Sequence, residues 1–156
     1  MIHKLTDKTE LKTFEKIVDI HRLCISQSNA PYYPPEVIDE WLDQVNIDDT
    51  ISQLKYSSWI VVEDEGEIVG FAQYSLSEEE LYQMQVNPTL QRKGYGRELY
   101  EYIEEDFRKN DIKKMELYSV LNAVEFYKSL GFKKKRKIFF PLKKTKTELE
   151  VMTKKL

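Results

Sequence analysis

Cysteine and histidine are scarce in this chain: one Cys and two His among 156 residues. The lone thiol, Cys24, excludes an internal disulfide framework, and so few soft ligands leave no set for a structural zinc. His3 and His21 have no partnering ligands near them in sequence and read as surface or packing residues. Long apolar runs are missing too. The longest, Trp59-Ile60-Val61-Val62, falls far short of the roughly 20 residues that a membrane span needs. Lys4, Asp7, Lys8, Glu10 and Lys12 interrupt any apolar start of the kind a secretory signal requires. Internal repeats and low-complexity linkers are absent as well. What remains is 41% apolar, 12% aromatic and 33% charged. That is enough to bury a core and too aromatic for a disordered chain. The expectation is a soluble, cytoplasmic protein of one domain over residues 1–156.

Charge is unevenly spread. Gly131 to Leu156 carries 10 basic and 2 acidic residues, and the preceding 130 carry 14 basic and 25 acidic. The basic end makes an anion or nucleic acid a candidate partner. An overall pI near 5.6 argues against a dedicated nucleic-acid binder.

Periodicity places the elements. Ile2–Leu5 starts as a short strand. Between Glu10 and Ser28, Leu11, Phe14, Ile17, Val18, Leu23 and Ile25 recur near helical spacing, and Asn29-Ala30-Pro31 should stop that helix. Cys24 lies within it and reads as a small apolar packing group. Pro34-Pro35 opens a second helix carrying Val37, Ile38, Trp41, Leu42 and Val45. A loop or short helical turn follows, ending near Lys55. Trp59–Glu63 and Ile68–Tyr74, either side of Asp64-Glu65-Gly66-Glu67, read as a β-hairpin. Glu80–Val86 is a third strand in this series, ended by Asn87-Pro88. Leu99, Tyr102, Ile103, Asp106 and Phe107 trace one face of a helix that follows the glycines at 94 and 96. Lys114–Tyr118 reads as a strand, Ala123–Leu130 as a short helix closed by Gly131, and Phe132–Phe140 with Glu148–Lys154 as a closing hairpin. The order gives an α/β (α+β) class: a mixed sheet with helices packed against it.

The chemistry concentrates in Gln91-Arg92-Lys93-Gly94-Tyr95-Gly96-Arg97, between a strand and a helix. Gly94 and Gly96 permit a tight turn and a close approach to a ligand. The following helix aims unpaired N–H groups at that ligand, and Arg92, Lys93 and Arg97 add positive charge. These are the parts of a pyrophosphate cradle. The stretch lacks the Gly-Lys-Ser/Thr ending of a P-loop and does not fit Gly-x-Gly-x-x-Gly, which disfavours nucleoside triphosphates and dinucleotides. On glycines alone, a basic connecting turn explains it equally well.

The wider pattern separates the two. Val86-Asn87-Pro88, then Gln91-Arg92-Lys93-Gly94-Tyr95-Gly96, then Asn122-Ala123 with Phe126-Tyr127 and Leu130-Gly131-Phe132, resembles the GNAT superfamily of acetyl-CoA-dependent N-acetyltransferases. The resemblance covers roughly Trp59 to Phe140. It implies a mostly antiparallel central sheet with helices on both faces and a splayed pair of parallel strands that binds CoA. Residues 1–57 would be a variable helical acceptor-side region, 58–140 the cofactor-binding core and 141–156 a closing strand. It also implies that pantetheine pairs with the backbone of Met84, Gln85 and Val86. The pyrophosphate would lie on Gln91, Arg92, Lys93, Gly94, Tyr95, Gly96 and Arg97, with Asn122 and Tyr127 completing the cofactor contacts.

Several of these residues have a plainer alternative. Asn122 with Glu125 forms an Asn-x-x-Glu helix start, so it would serve as an N-cap as well as a cofactor contact. Tyr127 would otherwise be a packing residue. A phenol with pKa about 10 stays protonated at neutral pH and can donate to a departing thiolate, which with the resemblance favours a general acid. An attacking ammonium must first lose a proton, and Glu80 matches the catalytic glutamate of some relatives. A water chain is its competitor. Other members place a base where this chain has Leu117, and Glu116 beside it should face the opposite side of the strand. Tyr32, Tyr33 and Trp41 either wall an acceptor pocket or close the N-terminal core. Cys24 lies outside the cofactor motifs, so direct attack in a ternary complex is expected rather than a covalent enzyme intermediate.

The partners that follow are acetyl-CoA and an amine acceptor, a small molecule or a protein amino group, with the acidic first 130 residues favouring a cationic one. The closing hairpin leaves a sheet edge that a homodimer would use. Two competing readings are a non-catalytic acyl-CoA-binding module and nucleic-acid binding through the basic C-terminal segment.

Overall fold

Two β-branched runs separated by Glu65 and Gly66 can pair only if the chain reverses within two residues. Both residues adopt positive φ, 51° and 79°, the signature of a tight hairpin turn. The turn joins β2 (Ser58–Asp64) to β3 (Glu67–Ser75). The computed structural model describes residues 1–156. Its seven-stranded sheet runs β1 (Ile2–Lys4), β2, β3, β4 (Glu80–Val86), β5 (Lys114–Ser119), β7 (Lys146–Lys155) and β6 (Lys133–Pro141). All neighbours are antiparallel except β4 and β5. Those two are parallel and pair only at Glu80↔Glu116 and Leu81↔Leu117.

Helices cover both faces, as expected. On one face α4 (Tyr95–Lys109) and α5 (Val124–Ser129) close the larger core. There Leu99, Ile103 and Phe107 of α4 meet Ile60, Ala72, Leu81, Met115 and Leu117 of the strands. On the other, Phe14, Ile17 and Ile20 of α1 (Leu11–Leu23) meet Trp59, Val61 and Phe71. Each such side chain, fully removed from water, contributes roughly 1.5–3 kcal/mol of transfer free energy. His21 packs edge-on to Phe71 with 5.9 Å between centroids, and His3 lies 3.2 Å from Glu63, so both serve packing or surface roles.

The first helix does not stop at Asn29-Ala30-Pro31 as its sequence suggests. It widens into a π-helix over Cys24–Asn29 and tightens into a 3₁₀ turn over Ala30–Tyr32. Pro31 fits there because the opening turn of a helix needs no N–H from it. The chain becomes extended only at Tyr33. α2 (Pro35–Gln44) follows, and then α3 (Ile47–Ser52), whose N-terminus is capped by Asn46 accepting from the Asp49 amide at 2.9 Å.

Tyr33 and Trp41 help to close a core. They pack edge-to-face at 5.5 Å, and Tyr33 shares a cluster with Ile25, Val37 and Ile38. The Tyr33 hydroxyl donates to the Glu148 carbonyl at 2.6 Å and accepts from the Leu121 amide at 3.0 Å. It ties the helical region to β7 and to the segment after β5. Glu40 adds a second tie, accepting from the amides of Lys144 and Thr145 at the β6–β7 turn at 2.8 Å each. Tyr32 is exposed. The basic segment forms β6, an edge strand with Phe139 and Phe140 exposed. Two of its lysines lean on β7, with Lys137 2.9 Å from Glu148 and Lys134 3.9 Å from Glu150. No helix is long and apolar enough to cross a membrane.

Removing one hydroxyl tests the tie. Tyr33→Phe leaves a buried amide and a carbonyl without their partner and should cost roughly 1–3 kcal/mol in urea unfolding. An unchanged midpoint would mean that the ring alone holds the region.

Candidate active site

Each of the diverging strands is held by its outer neighbour. β5 is paired along its length, Lys114 to Ser119, with β7, and β4 with β3. A β-bulge at Gln73/Tyr74 bends the β3–β4 pair. Beyond Leu81 and Leu117 the two strands therefore separate, and β4 turns an unpaired backbone edge toward the gap. Met84 and Val86 pack on the larger core, whereas Gln85, opposite Phe71, faces the α1 side. The Val86 carbonyl accepts from the Cys24 thiol at 3.2 Å, so the π-helical end of α1 touches the tip of β4. Burial pushes the Cys24 thiol up to about 12, opposed by that bond, and leaves it a poor nucleophile.

Asn87 and Pro88 end β4, and a 3₁₀ turn over Pro88–Leu90 leads into the basic stretch. Arg92 and Gly94 both take positive φ, 66° and 89°, and Gly94 stands at the N-cap of α4. No side chain caps this end, so first-turn amides remain free to receive an anion. Arg92, Lys93 and Arg97 are exposed at its mouth. Gly96 also serves packing: a Cβ there would lie 3.1 Å from the Phe126 ring. Its absent side chain lets α5 pack against α4. The Tyr95 side chain turns away and donates its hydroxyl to Asp64. Gln91 makes a long contact, 3.4 Å, with the Val86 carbonyl.

Asn122 is not the N-cap of α5. That position belongs to Ala123, and no side chain caps it. Asn122 lies one residue earlier, in a 3₁₀ turn (Leu121–Ala123), because the chain leaving β5 must first turn across the gap. Its amide donates to buried Asn29 at 3.0 Å, and its own Oδ1 is buried with no partner. Tyr127, on α5, is buried between Phe126 and Phe132, with centroids 5.5 and 5.9 Å away. It belongs to the same cluster as Leu81 and Leu117, the last residues that join the strands. Burial raises its pKa, so the phenol keeps its proton.

Glu80 sits across the sheet from Tyr127. Leu81 and Leu117 point into the α4 face, so alternation sends Glu80 and Glu116 to the other. Burial, then the charges of Glu116 and Glu78, push the Glu80 carboxyl up to about 7. Gln73 and Gln83 share that face: Gln83 donates to Gln73 at 3.0 Å, and Gln73 donates to Gln53 and Ser57, each at 3.0 Å. Sequence reading missed this network and the Asn29–Asn122 pair. The alternation of polar Gln73, Gln83 and Gln85 with apolar neighbours was the available signal.

Residues 16–132 match the acetyltransferase (GNAT) family, and the protein belongs to that family. Among curated proteins, none matches the chain in sequence. Its fold is similar to a GCN5-related N-acetyltransferase from Rhodopseudomonas palustris, at TM-score 0.90 and 18% identity, covering 100% of this chain and 95% of that one. It is also similar to the PaiA N-acetyltransferase of Thermoplasma acidophilum, solved in complex with coenzyme A, at TM-score 0.76 and 20% identity, covering 100% and 99%. The ribosomal-protein-S18-alanine N-acetyltransferase of Escherichia coli gives TM-score 0.65 and 18% identity, covering 99% and 94%.

The raised Glu80 has a stability signature. A carboxyl that binds its proton more tightly when folded favours the folded state at low pH. That advantage is lost as pH rises from the unfolded value near 4.5 through about 7. Glu80→Gln has no charge to bury, so its melting temperature should gain on the wild type between pH 5 and pH 8. A constant difference across that range would mean Glu80 is not raised.

Proposed function

We propose that the protein transfers an acetyl group from acetyl-CoA to a primary amine, by direct attack while both substrates are bound. The observation that carries this is the β4–β5 gap opening beside an uncapped helix N-terminus with three exposed cations. A pantetheine arm needs strand-like backbone partners, and Met84, Gln85 and Val86 offer an unpaired edge. A pyrophosphate needs amides and positive charge, and Gly94 to Arg97 with Arg92 and Lys93 supply both. The orphan Asn122 Oδ1 suits an amide N–H of that arm.

The thioester supplies an activated acyl carbon and a leaving thiolate. Glu80 takes the proton the amine must lose, and Tyr127 gives its own to the sulfur. Acid and base on opposite faces of the sheet do not neutralise each other. A base with pKa about 7 is matched to operation near neutral pH. Cys24, with its thiol tied to the Val86 carbonyl, plays no covalent part.

Calorimetric titration with acetyl-CoA, with CoA and ATP as controls, tests the donor site. Selective binding of the CoA ligands is expected, followed by a screen of primary amines by thiol release. A folded protein that binds neither CoA ligand would sink the reading. Arg92→Ala or Lys93→Ala should weaken binding several-fold at low salt and less at high salt, because exposed charges are screened within about 8–10 Å at 0.10–0.15 M salt. Tyr127→Phe should lower turnover roughly 100–10,000-fold, in the range of general acid catalysis, while acetyl-CoA affinity changes little. Equal turnover would remove Tyr127 from the mechanism.

A further inference from the structure

Glu80 has a partner that the fold places with more care than a surface carboxylate needs. One row of paired residues crosses the sheet: Ser75, Glu80, Glu116, Thr153 and Lys133. Glu80 and Glu116 are adjacent in it at one of the two points where β4 touches β5. In-register neighbours on parallel strands direct their side chains to the same face about 5 Å apart. Both are half-buried on the α1 side. The Glu116 amide is also fixed, donating to the Glu79 carbonyl at 3.0 Å. The pair therefore cannot drift apart without breaking the parallel contact itself.

Like charges held this close are usually separated or neutralised by a cation, and neither happens here. Glu78 faces Glu80 from the preceding turn, Glu116 from β5 and Ser75 from β3, and no cation contributes. Tyr82 from its own strand and Tyr118 from β5 lie in the field of Glu80, with Tyr56 beside Tyr82 and Arg136 beside Tyr118. Lys133 ends the row two strands beyond Glu116.

We propose that Glu116 is a positioning residue for the transfer reaction, acting through Glu80 as the second member of a carboxylate pair that makes Glu80 the proton acceptor. This rests on the reading of Glu80 as base. The pair holds its negative charge beside the carboxyl that, in that reading, takes the amine's proton. Repulsion from Glu116 raises the affinity of Glu80 for the proton that the attacking nitrogen gives up. The nitrogen lone pair forms the bond to the acyl carbon, the sulfur leaves with its electron pair, and the N–H proton goes to Glu80.

The test compares wild type with Glu116→Gln, which keeps the shape and removes the charge, and Glu116→Asp, which keeps the charge on a shorter side chain, at a half-buried site. Carbon-13 NMR titration reads the Glu80 carboxyl, assigned by Glu80→Gln. The pH dependence of kcat/KM is followed with the best amine from the thiol-release screen. Glu116→Gln should lower the Glu80 midpoint by about one pH unit, because the like charge is gone while burial remains. The acid limb of the rate profile should follow it down, and Glu116→Asp should hold both near the wild-type position. A midpoint that stays put in Glu116→Gln overturns the pair, even if activity falls, and leaves Glu80 as base intact. A midpoint that falls while the acid limb does not follow shows that Glu80 is not the base. That overturns the reading above and this inference with it.

Discussion

Two residue pairs, Glu80 with Glu116 and Leu81 with Leu117, are all that join β4 to β5. Without that contact the sheet would split into two halves, and with a longer one there would be no gap. The limit is set by competition for backbone. β7 claims six residues of β5, and β3 claims the length of β4 around a bulge. Neither outer partner lets its strand turn inward. Unpaired strand edges are costly when buried and prone to association when exposed. This edge is partly shielded at its tip, where the Val86 carbonyl takes the Cys24 thiol.

The gap also has to be held at a fixed width, and different chemistry does this on each side. On the α4 side the fixing is mostly apolar, with one polar anchor. Lys154 of β7 donates to Glu104 at 2.6 Å, the Leu130 carbonyl at 2.7 Å and the Tyr100 hydroxyl at 2.8 Å. One ammonium thereby sets β7, α4 and the end of α5 relative to one another, with all three of its protons used. A buried charge is tolerable only when paired and hydrogen-bonded in this way. Gly131, at φ +101°, belongs to the same joint, because a Cβ there would meet the Lys154 side chain at 3.1 Å. On the α1 side the fixing is polar, through Cys24 to Val86 and Asn29 to Asn122.

Local signals carried most of the elements. Short β-branched apolar runs placed β2 and β3, and glycine and proline placed the turn between them and the end of β4. The spacing of Leu99, Ile103 and Phe107 placed the buried face of α4. The basic turn at the uncapped start of α4 was legible because its parts, Arg92 to Arg97, are adjacent in sequence. Contacts between distant segments left no such trace. Tyr33 bonds to residues 88 and 115 positions away, and nothing near Tyr33 announces either. Asn122 read as a cap because Asn-x-x-Glu is a real capping pattern; the turn across the gap displaced it by one residue. The packing of Gly96 on Phe126 was not legible, because a glycine records only that space is needed, not whose. Glu116 was placed on the opposite side of its strand from Leu117, correctly by alternation. That side is also the Glu80 side, a fact that depends on the register between two strands.

The polar fixing on the α1 side has a consequence for how such a fold can vary. A π-helix is a poor way to end a helix on hydrogen-bond energy alone, and such segments recur where function requires them. Here the extra residue per turn delivers both Cys24 and Asn29 to the gap from a single short segment, a pair that tighter α-helical spacing would present differently. The helices on this side therefore do two jobs: they cover the face that carries Glu80, and they hold the edge of the gap open. Leu11, Leu23 and Ile51, which are exposed, can change without touching the gap. Residues Cys24 to Asn29 cannot, because any repacking there moves the Val86 tip and the Asn122 side chain together. Within residues 1–57, freedom to vary is thus greatest in the parts that do not reach β4.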